Sequence, residues 1–332
     1  MKILMLADTL NTGGAETHIK TLAISLKKLS QGVTVASSGG SVAKQIVKNG
    51  VPHRKLPDTN GKYASNFRQC NKSAPKIENL PFAFVQAVRT SRAISRIIES
   101  EKPDIVHAHT RRTAFLAKYI CRMRKIPLIV TAHASFDMEF PKNILSQWGD
   151  GLVCVSEDVK THLLHHSLSI KLPEDIEIIF NGVNLPTKTD INTQTSTNKS
   201  HKKRIVFASR LDYDCSDIAY SICRIAPKLY EKFGEEIEII IVGGGSEYKQ
   251  IHQKAYIVNQ KLNHELINVV GEVESPSKFS NLNTLFLGVS RAALEFMAVG
   301  TPVLLCGNEG YLGLLTDKNL EKAQKTNFTC RG

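Results

Sequence analysis

The segment Asn11-Thr12-Gly13-Gly14-Ala15-Glu16 lies directly after a short apolar run and opens a helical pattern. Paired glycines let the backbone approach a ligand closely, and the first turn of a helix favours a phosphate oxygen. The spacing is neither GxGxxG nor GxxxxGKS/T, which disfavours a dinucleotide site and a P-loop. A plain strand-to-helix turn accounts for the glycines equally well. Arg89, Arg92 and Arg96 recur at spacings of three and four, which puts three guanidinium groups on one face of a helix. Such a face can meet an anionic surface, or it can be a solvated face over a core. The seven cysteines include no CxxC pair, so neither a disulfide framework nor a zinc site is expected. No DxD-type motif stands at a strand end, and metal independence is expected.

These groups have to be positioned by something, and the hydropathy pattern indicates what. Lys2–Ala7, Gly32–Ser37, Asp104–Ala108, Leu128–Ala132 and Gly151–Val155 are short buried runs rich in branched residues. Helical patterns over His18–Leu29, Val42–Asn49 and Pro81–Ser100 lie between them, with Phe84, Val85, Val88, Ile94, Ile97 and Ile98 as the apolar side of the last. This alternation predicts a parallel sheet covered by helices on both faces. Residues 187–203 are polar and almost free of apolar side chains, which suits an interdomain linker. The pattern then restarts: strand Arg204–Ala208, helix Ser216–Phe233, strand Ile237–Val242 ending in Gly243-Gly244-Gly245, and helix Glu247–Leu262. Strands near Val269 and Leu285, a helix over Arg291–Val299 and strand Pro302–Leu305 complete it. Ligands of doubly wound folds bind beyond the carboxyl ends of their strands.

The 332 residues suffice for two domains, and 42% hydrophobic with 22% charged residues is ordinary globular composition. No run approaches the roughly 20 apolar residues of a membrane-spanning helix, and the N-terminus lacks a signal-peptide cleavage pattern. A reduced, cytoplasmic setting is therefore expected. The net charge of +12 is lopsided. Residues 1–150 carry 23 Lys/Arg against 10 Asp/Glu, whereas residues 151–332 carry 20 against 21. A one-sided field points to an anionic partner on that side, with charge kept for solubility as the plain alternative.

The motifs, in order, resemble the retaining glycosyltransferases of the GT-B fold usually grouped as family 4. They are GGAETHI at 13–19, DIVHAHT at 104–110, VTAHASF at 130–136, LVCVSEDV at 152–159 and IIFNGVNL at 178–185. FASRLD at 207–212, IIIVGGGSE at 239–247, VVGEV at 269–273 and SRAALEFMAVGTPVLL at 290–305 continue the series. The resemblance implies an α/β chain of two Rossmann-like domains facing across a cleft. The first, 1–186, would take the acceptor; the second, 204–332, would bind the nucleotide sugar. The chain ends soon after the NEGY segment, where relatives add helices, so the second domain is expected to be shortened.

The same resemblance implies residue roles. Arg210 corresponds to the arginine of the donor diphosphate, where a guanidinium can bind phosphate oxygens in pairs and offset charge on the leaving group. Glu295 corresponds to the glutamate of the nucleotide ribose, a carboxylate accepting from two hydroxyls. His133 corresponds to the histidine beside the donor sugar, and Arg210 and His133 form the catalytic pair. Gly243, Gly244 and Gly245 would bring backbone N–H groups to the nucleotide, and Gly13, Gly14, Asn181 and Arg291 complete the donor side. His109 and Arg111, with Arg89, Arg92 and Arg96, fall on the acceptor or membrane side. Two family positions differ: Leu287 stands eight residues before Glu295 where a glutamate is usual, with the loop between LFLG and LEFMA shortened, and no lysine follows Arg210, with Cys215 near its place. Arg291 could supply charge to that loop.

The function this implies is transfer of a sugar, with retention, from a nucleoside-diphosphate donor to a sugar or lipid-linked acceptor. The setting would be cell-surface polysaccharide, lipopolysaccharide, capsule or glycolipid assembly. No pair of carboxylates suggests two-carboxylate chemistry, so front-face attack with Arg210 at the leaving group is the expected course. The basic first domain, helped by Lys62, Tyr63, Phe67, Arg68, Lys72 and Lys76, suits peripheral docking on an anionic membrane at its inner face. No nucleic-acid module is recognisable. A sugar-nucleotide 2-epimerase and a non-catalytic sugar-nucleotide binder remain as alternatives, and the lost glutamate weighs against the first.

Overall fold

The computed structural model describes residues 1–57, 80–135, 148–166, 174–185 and 202–331, the side chains of 80–83 and 166 excepted. The chain divides into two units, Met1–Phe180 and Asn181–Gly332. Residues 60–78, with their Lys, Arg, Tyr and Phe, and all but the end of the expected linker lie outside the described residues.

The first unit begins β1 (Lys2–Leu6), α1 (Gly14–Lys28), β2 (Gly32–Ser37), α2 (Ser41–Lys48) and β3 (His53–Lys55). It continues with α3 (Leu80–Glu101), β4 (Ile105–Ala108), α4 (Arg111–Arg124) and β5 (Leu128–Ala132). Then come β6 (Gly151–Cys154), α5 (Glu157–His166) and β7 (Asp175–Ile178). Its seven strands form one sheet in the order β3-β2-β1-β4-β5-β6-β7, with every pairing parallel. Strand β1 shows why KILML has no polar alternation. Ile3 and Met5 join one buried cluster with Ile19, Ala23, Val42 and Ile46 of α1 and α2. Leu4 and Leu6 join another with Ile94, Ile98, Ala114 and Ala117 of α3 and α4. Successive side chains point to opposite faces, and both faces are covered.

The second unit repeats the plan. It runs β8 (Lys203–Ala208), α6 (Asp217–Phe233), β9 (Ile237–Val242), α7 (Tyr248–Leu262), β10 (Ile267–Gly271) and β11 (Thr284–Gly288). After these come α8 (Ser290–Ala298), β12 (Val303–Gly307), β13 (Gly310–Leu314) and α9 (Asp317–Lys325). The sheet order is β10-β9-β8-β11-β12-β13, parallel except for the β12–β13 pair. Phe207, Ile239 and Ile241 face one cluster, while Val206, Ala208, Ile240 and Val242 face the other. Two parallel-sheet α/β units of this kind are the expected GT-B fold class. Lys203, placed in the linker by composition, is the first residue of β8 and pairs with Ile237.

The apolar side expected for α3 is partly corrected. Ile94, Ile97 and Ile98 are buried, but Phe84 and Val85 are exposed. Val85 stands nine residues before Ile94, and at about 100° per residue that places it on the opposite side of the helix. It shares that side with Arg89, Arg92 and Arg96, all exposed. Among the described residues no helix is long and apolar enough to cross a membrane.

Candidate functional site

In each sheet the strand order reverses direction at one place, between β1 and β4 and between β8 and β11. A crevice opens at such a point because the connections on either side leave in opposite directions. Several of the residues singled out by sequence fall at these two places, one in each unit; Arg89, Arg92 and Arg96, on the exposed face of α3, do not.

In the first unit, the loop after β1 is tied down by backbone hydrogen bonds. Leu10 N–H donates to Gly39 O at 2.8 Å, Val42 N–H donates to Leu10 O at 2.8 Å, and Ser38 N–H donates to Asp8 O at 2.9 Å. Gly40, at φ +138°, would press a Cβ into the Leu10 carbonyl, so the close approach requires glycine there. Gly13 is the N-cap of α1 and Gly14 its first residue. The φ of Gly13 is 179°, an extended value open to any residue, and the Glu16 carboxylate lies over it. A negative group thus already sits at the opening turn of α1, where it is favourable to the helix.

Four histidines gather beside this loop. His107 belongs to β4 and His109 directly follows it, two residues on; His133 follows β5; His18 lies in the second turn of α1. The His109 N–H donates to Leu6 O at 2.9 Å, which anchors the residue to β1. His109 Nδ1 lies 3.2 Å from His133 Nε2, and His107 Nε2 lies 2.7 Å from Thr131 Oγ1. Ring centroids are 4.1 Å apart for His107–His109, 5.4 Å for His109–His133 and 4.9 Å for His18–His133. Burial, with the neighbouring His18, pulls the His107 imidazole down to about 4. Burial and the three other rings hold His109 well below the ordinary histidine value. Both are neutral at pH 7, able to donate from one nitrogen and accept at the other. The sequence reading had His109 and His133 but not their convergence with His18 and His107. The alternation in DIVHAHT and the position of His18 in GGAETHI were the available signals.

Arg111 opens α4 beside this group rather than on the exposed face of α3. Arg112 lies 3.6 Å from Asp8. Thr110 caps the helix by accepting from Thr113 N–H at 3.3 Å. The acceptor-side arginines therefore form two groups within the first unit, Arg89–Arg92–Arg96 on α3 and Arg111 at the strand ends.

In the second unit, Arg210 follows β8 and is held by acids that the sequence reading did not single out. Its Nη1 donates to Asp212 Oδ2 at 2.9 Å, its Nη2 lies 3.6 Å from Asp214, and Cys215 Sγ accepts from Nη2 at 3.4 Å. Burial raises the Cys215 thiol to about 11, with Arg210 opposing, so it stays protonated. Near the place of the family's usual lysine there is instead a neutral contact to the arginine itself. Asp212 Oδ1 also accepts from Ser246 N–H at 3.0 Å, and Asn308 Nδ2 donates to Asp214 O at 2.7 Å. The Arg210 side chain remains 38% exposed.

Within the glycine triplet, the N–H of Gly243 is already engaged. It donates to Gly271 O at 2.8 Å and is not offered to a nucleotide. At φ +150° a Cβ on Gly243 would run into the Ser209 carbonyl, and one on Gly245, at φ +153°, into the backbone of Leu211. Leu211 N–H donates to Gly244 O at 2.9 Å and Glu247 N–H to Leu211 O at 2.8 Å. The triplet lets the β9 loop lie against residues 209–212 and so fixes the segment carrying Arg210.

Helix α8 carries Arg291 and Glu295. A single residue, Val289, joins β11 to it, which places Leu287 inside β11. Leu287 packs against the cluster of Phe207 and Ile222, so position 287 serves the core. Arg291 is buried and donates from Nη1 to Gly182 O at 2.9 Å. Burial pulls its guanidinium below the ordinary value, and Glu295, one turn on and half-buried, opposes the shift. The charge of Arg291 thus holds segment 181–185 instead of facing an open loop. Asn181 Nδ2 donates to Asn327 Oδ1 at 3.0 Å, and Ser290 N–H to Phe328 O at 2.7 Å. Residues 327 and 328 therefore lie against the first turn of α8, with both backbones at positive φ.

Residues 12–186, more than half of the chain, match the family model described as Glycosyltransferase Family 4. No curated protein matches the sequence. Among solved structures, Anabaena HepE in complex with UDP-glucose shares 14% identity at a TM-score of 0.63, over 99% of this chain and 92% of that one. A mutant of S. aureus TarM, in complex with Fondaparinux, alpha-GlcNAc-glycerol and UDP, shares 11% at 0.61 over 99% and 93%. UDP-GlcNAc 2-epimerase from Neisseria meningitidis bound to UDP-GlcNAc shares 17% at 0.54 over 92% and 82%.

Proposed function

Because the chain belongs to glycosyltransferase family 4, we propose that it moves a hexosyl unit, with retention, from a nucleoside-diphosphate sugar to a sugar or lipid-linked acceptor. One observation carries the reading: Arg210, the glycine loop and α8 follow β8, β9 and β11, which are neighbours in one sheet, at the place where its order reverses. The guanidinium of Arg210 would take the diphosphate oxygens and offset charge as the glycosidic bond to phosphate breaks. Glu295 would accept from the ribose hydroxyls, and His133 would meet the sugar from the acceptor side. No metal is assigned a part in the transfer. UDP in the HepE and TarM structures supports a nucleoside diphosphate as the donor class. The exposed arginines of α3, with Val85 and Phe84 beside them, support an acceptor presented at an anionic membrane surface, and polysaccharide or glycolipid assembly as the setting.

Incubation with a panel of labelled nucleotide sugars and membrane extract tests the proposal. Labelled lipid or polymer that keeps the donor's anomeric configuration is the expected result, with turnover lowered by about 100-fold or more in Arg210→Ala. Conversion of the donor to its 2-epimer, without transfer, would replace this reading by an epimerase of the kind seen in the Neisseria structure. Binding without either product would make the chain a sugar-nucleotide binder.

A further inference from the structure

We propose that His18, His109 and His133 form a binding site for a divalent transition ion of the zinc type. One ring nitrogen from each residue lies within 4.8 Å of the other two. The three come from separate elements, the second turn of α1 and the ends of β4 and β5, which the reversal of strand order between β1 and β4 brings together.

The pair at the centre is His109 Nδ1 and His133 Nε2, 3.2 Å apart. Two ligands of a tetrahedral ion at zinc–nitrogen distances of 2.0–2.1 Å are separated by about 3.3 Å. The observed gap is therefore already that of an edge of the coordination polyhedron, and the His18 nitrogen lies within 4.8 Å of both. His109 supplies a second observation. It is 3% exposed, and its Nε2 is buried without a hydrogen-bond partner. A buried neutral imidazole has one N–H and one lone pair to satisfy. Here one nitrogen meets only another imidazole and the other meets nothing, so the protein itself leaves His109 under-satisfied. An ion would take the lone pairs of His109 Nδ1 and His133 Nε2, which now face each other, and leave the His109 proton on its buried Nε2.

The ligand chemistry is selective. Three imidazole nitrogens suit zinc, copper, nickel or cobalt and offer nothing to magnesium or calcium, which require oxygen. His18 and His133 are half-buried rather than sealed, which leaves an approach for the ion and a fourth position for water or an anion. His107 is excluded from the set because its Nε2 is engaged with Thr131. The site lies outside the sequence expectation, which turned on Cys pairs and on a DxD motif at a strand end rather than on histidines. Its ligands are dispersed along the chain, and only the sheet order assembles them.

Binding stands on the three imidazoles alone. The consequence for activity rests on the proposed transfer, in which His133 meets the donor sugar: an ion seated there would compete with substrate. Untagged full-length protein titrated with cobalt(II) chloride should develop the visible absorption of a low-coordinate cobalt–imidazole site at one equivalent, and zinc chloride should displace it. His18→Gln, a change on a half-buried helix position, should weaken the ion by roughly tenfold or more, as should His109→Gln. His162→Gln on α5 serves as the control and should leave the titration unchanged. A cobalt spectrum absent in the wild type, or retained at full strength in His18→Gln and His109→Gln when both are folded by circular dichroism, would overturn the site. So would an equal response to magnesium chloride, read as displacement of cobalt. A bound ion that leaves transfer uninhibited would refute only the placement of His133 at the sugar, because the spectral titration does not depend on it.

Discussion

Replacing Asp212 by asparagine should tighten binding of a diphosphate. Asp212 competes for Arg210 with the phosphate oxygens the arginine would hold, at 2.9 Å in a setting where the guanidinium is 38% exposed. Opposite unit charges at that distance in a water-like dielectric attract by about 1.4 kcal/mol. Salt and the entropy of fixing two side chains reduce this to roughly 1 kcal/mol or less for an exposed pair. An asparagine at 212 keeps an Oδ1 for the Ser246 N–H, so the β9 loop retains its anchor. The variant therefore removes charge competition while keeping geometry, and the gain should be up to about fivefold in Kd. Calorimetric titration with inorganic pyrophosphate and with UDP, GDP and ADP measures it without assuming a base. Arg210→Ala sets the opposite end of the scale. Should Asp212→Asn weaken all four ligands as much as Arg210→Ala does, Asp212 positions the arginine for the ligand and the competition argument is wrong.

Gly243→Ala forces a left-handed φ on alanine and a Cβ onto the Ser209 carbonyl, and should cost roughly 2–4 kcal/mol in urea unfolding. Gly300→Ala, at φ +78° with open space around it, should cost about 1 kcal/mol, so equal losses would refute the close-approach account. The His107 imidazole is lowered from the ordinary 6.5 to about 4, so the unfolded chain binds its proton first. Its contribution is whole above pH 6.5 and is lost as pH falls towards 4, by roughly 3 kcal/mol in all. His107→Gln should lose that much less stability across this window, and identical pH slopes for the two proteins would exclude a buried neutral His107. Phe296→Ala removes a fully buried ring stacked on Phe286 at 4.1 Å and should cost roughly 3–5 kcal/mol by chemical denaturation.

Much of the architecture is legible in the amino-acid sequence. Runs such as KILML and IEIIIV are apolar on both faces, and only a strand sandwiched between helix layers makes use of that. The edge strands β3 and β7 were not legible. HRK is three residues long and polar, and DIEI is only four residues long; their pairing with β2 and β6 comes from the sheet's growing edge. In α3, Val85 is apolar by type but lies on the basic side by phase, which its spacing from Ile94 encodes.

For the site, local spacing determined which residues stand at strand ends: Arg210 after β8, His109 after β4, His133 after β5, and glycines after β1 and β9. The sequence by itself also determined the departures at Leu287 and Cys215. What each of those groups touches was decided only by the tertiary structure. Arg210 is shared among Asp212, Asp214 and Cys215; Arg291 is turned inward onto Gly182; Gly243 serves a backbone crossing rather than a ligand. The three imidazoles of His18, His109 and His133 converge because parallel strands with helical crossovers bring residues far apart in sequence to the same sheet edge. Spacing along a chain encodes turns and faces. Contacts between crossovers depend on strand order, which no local pattern of residues carries.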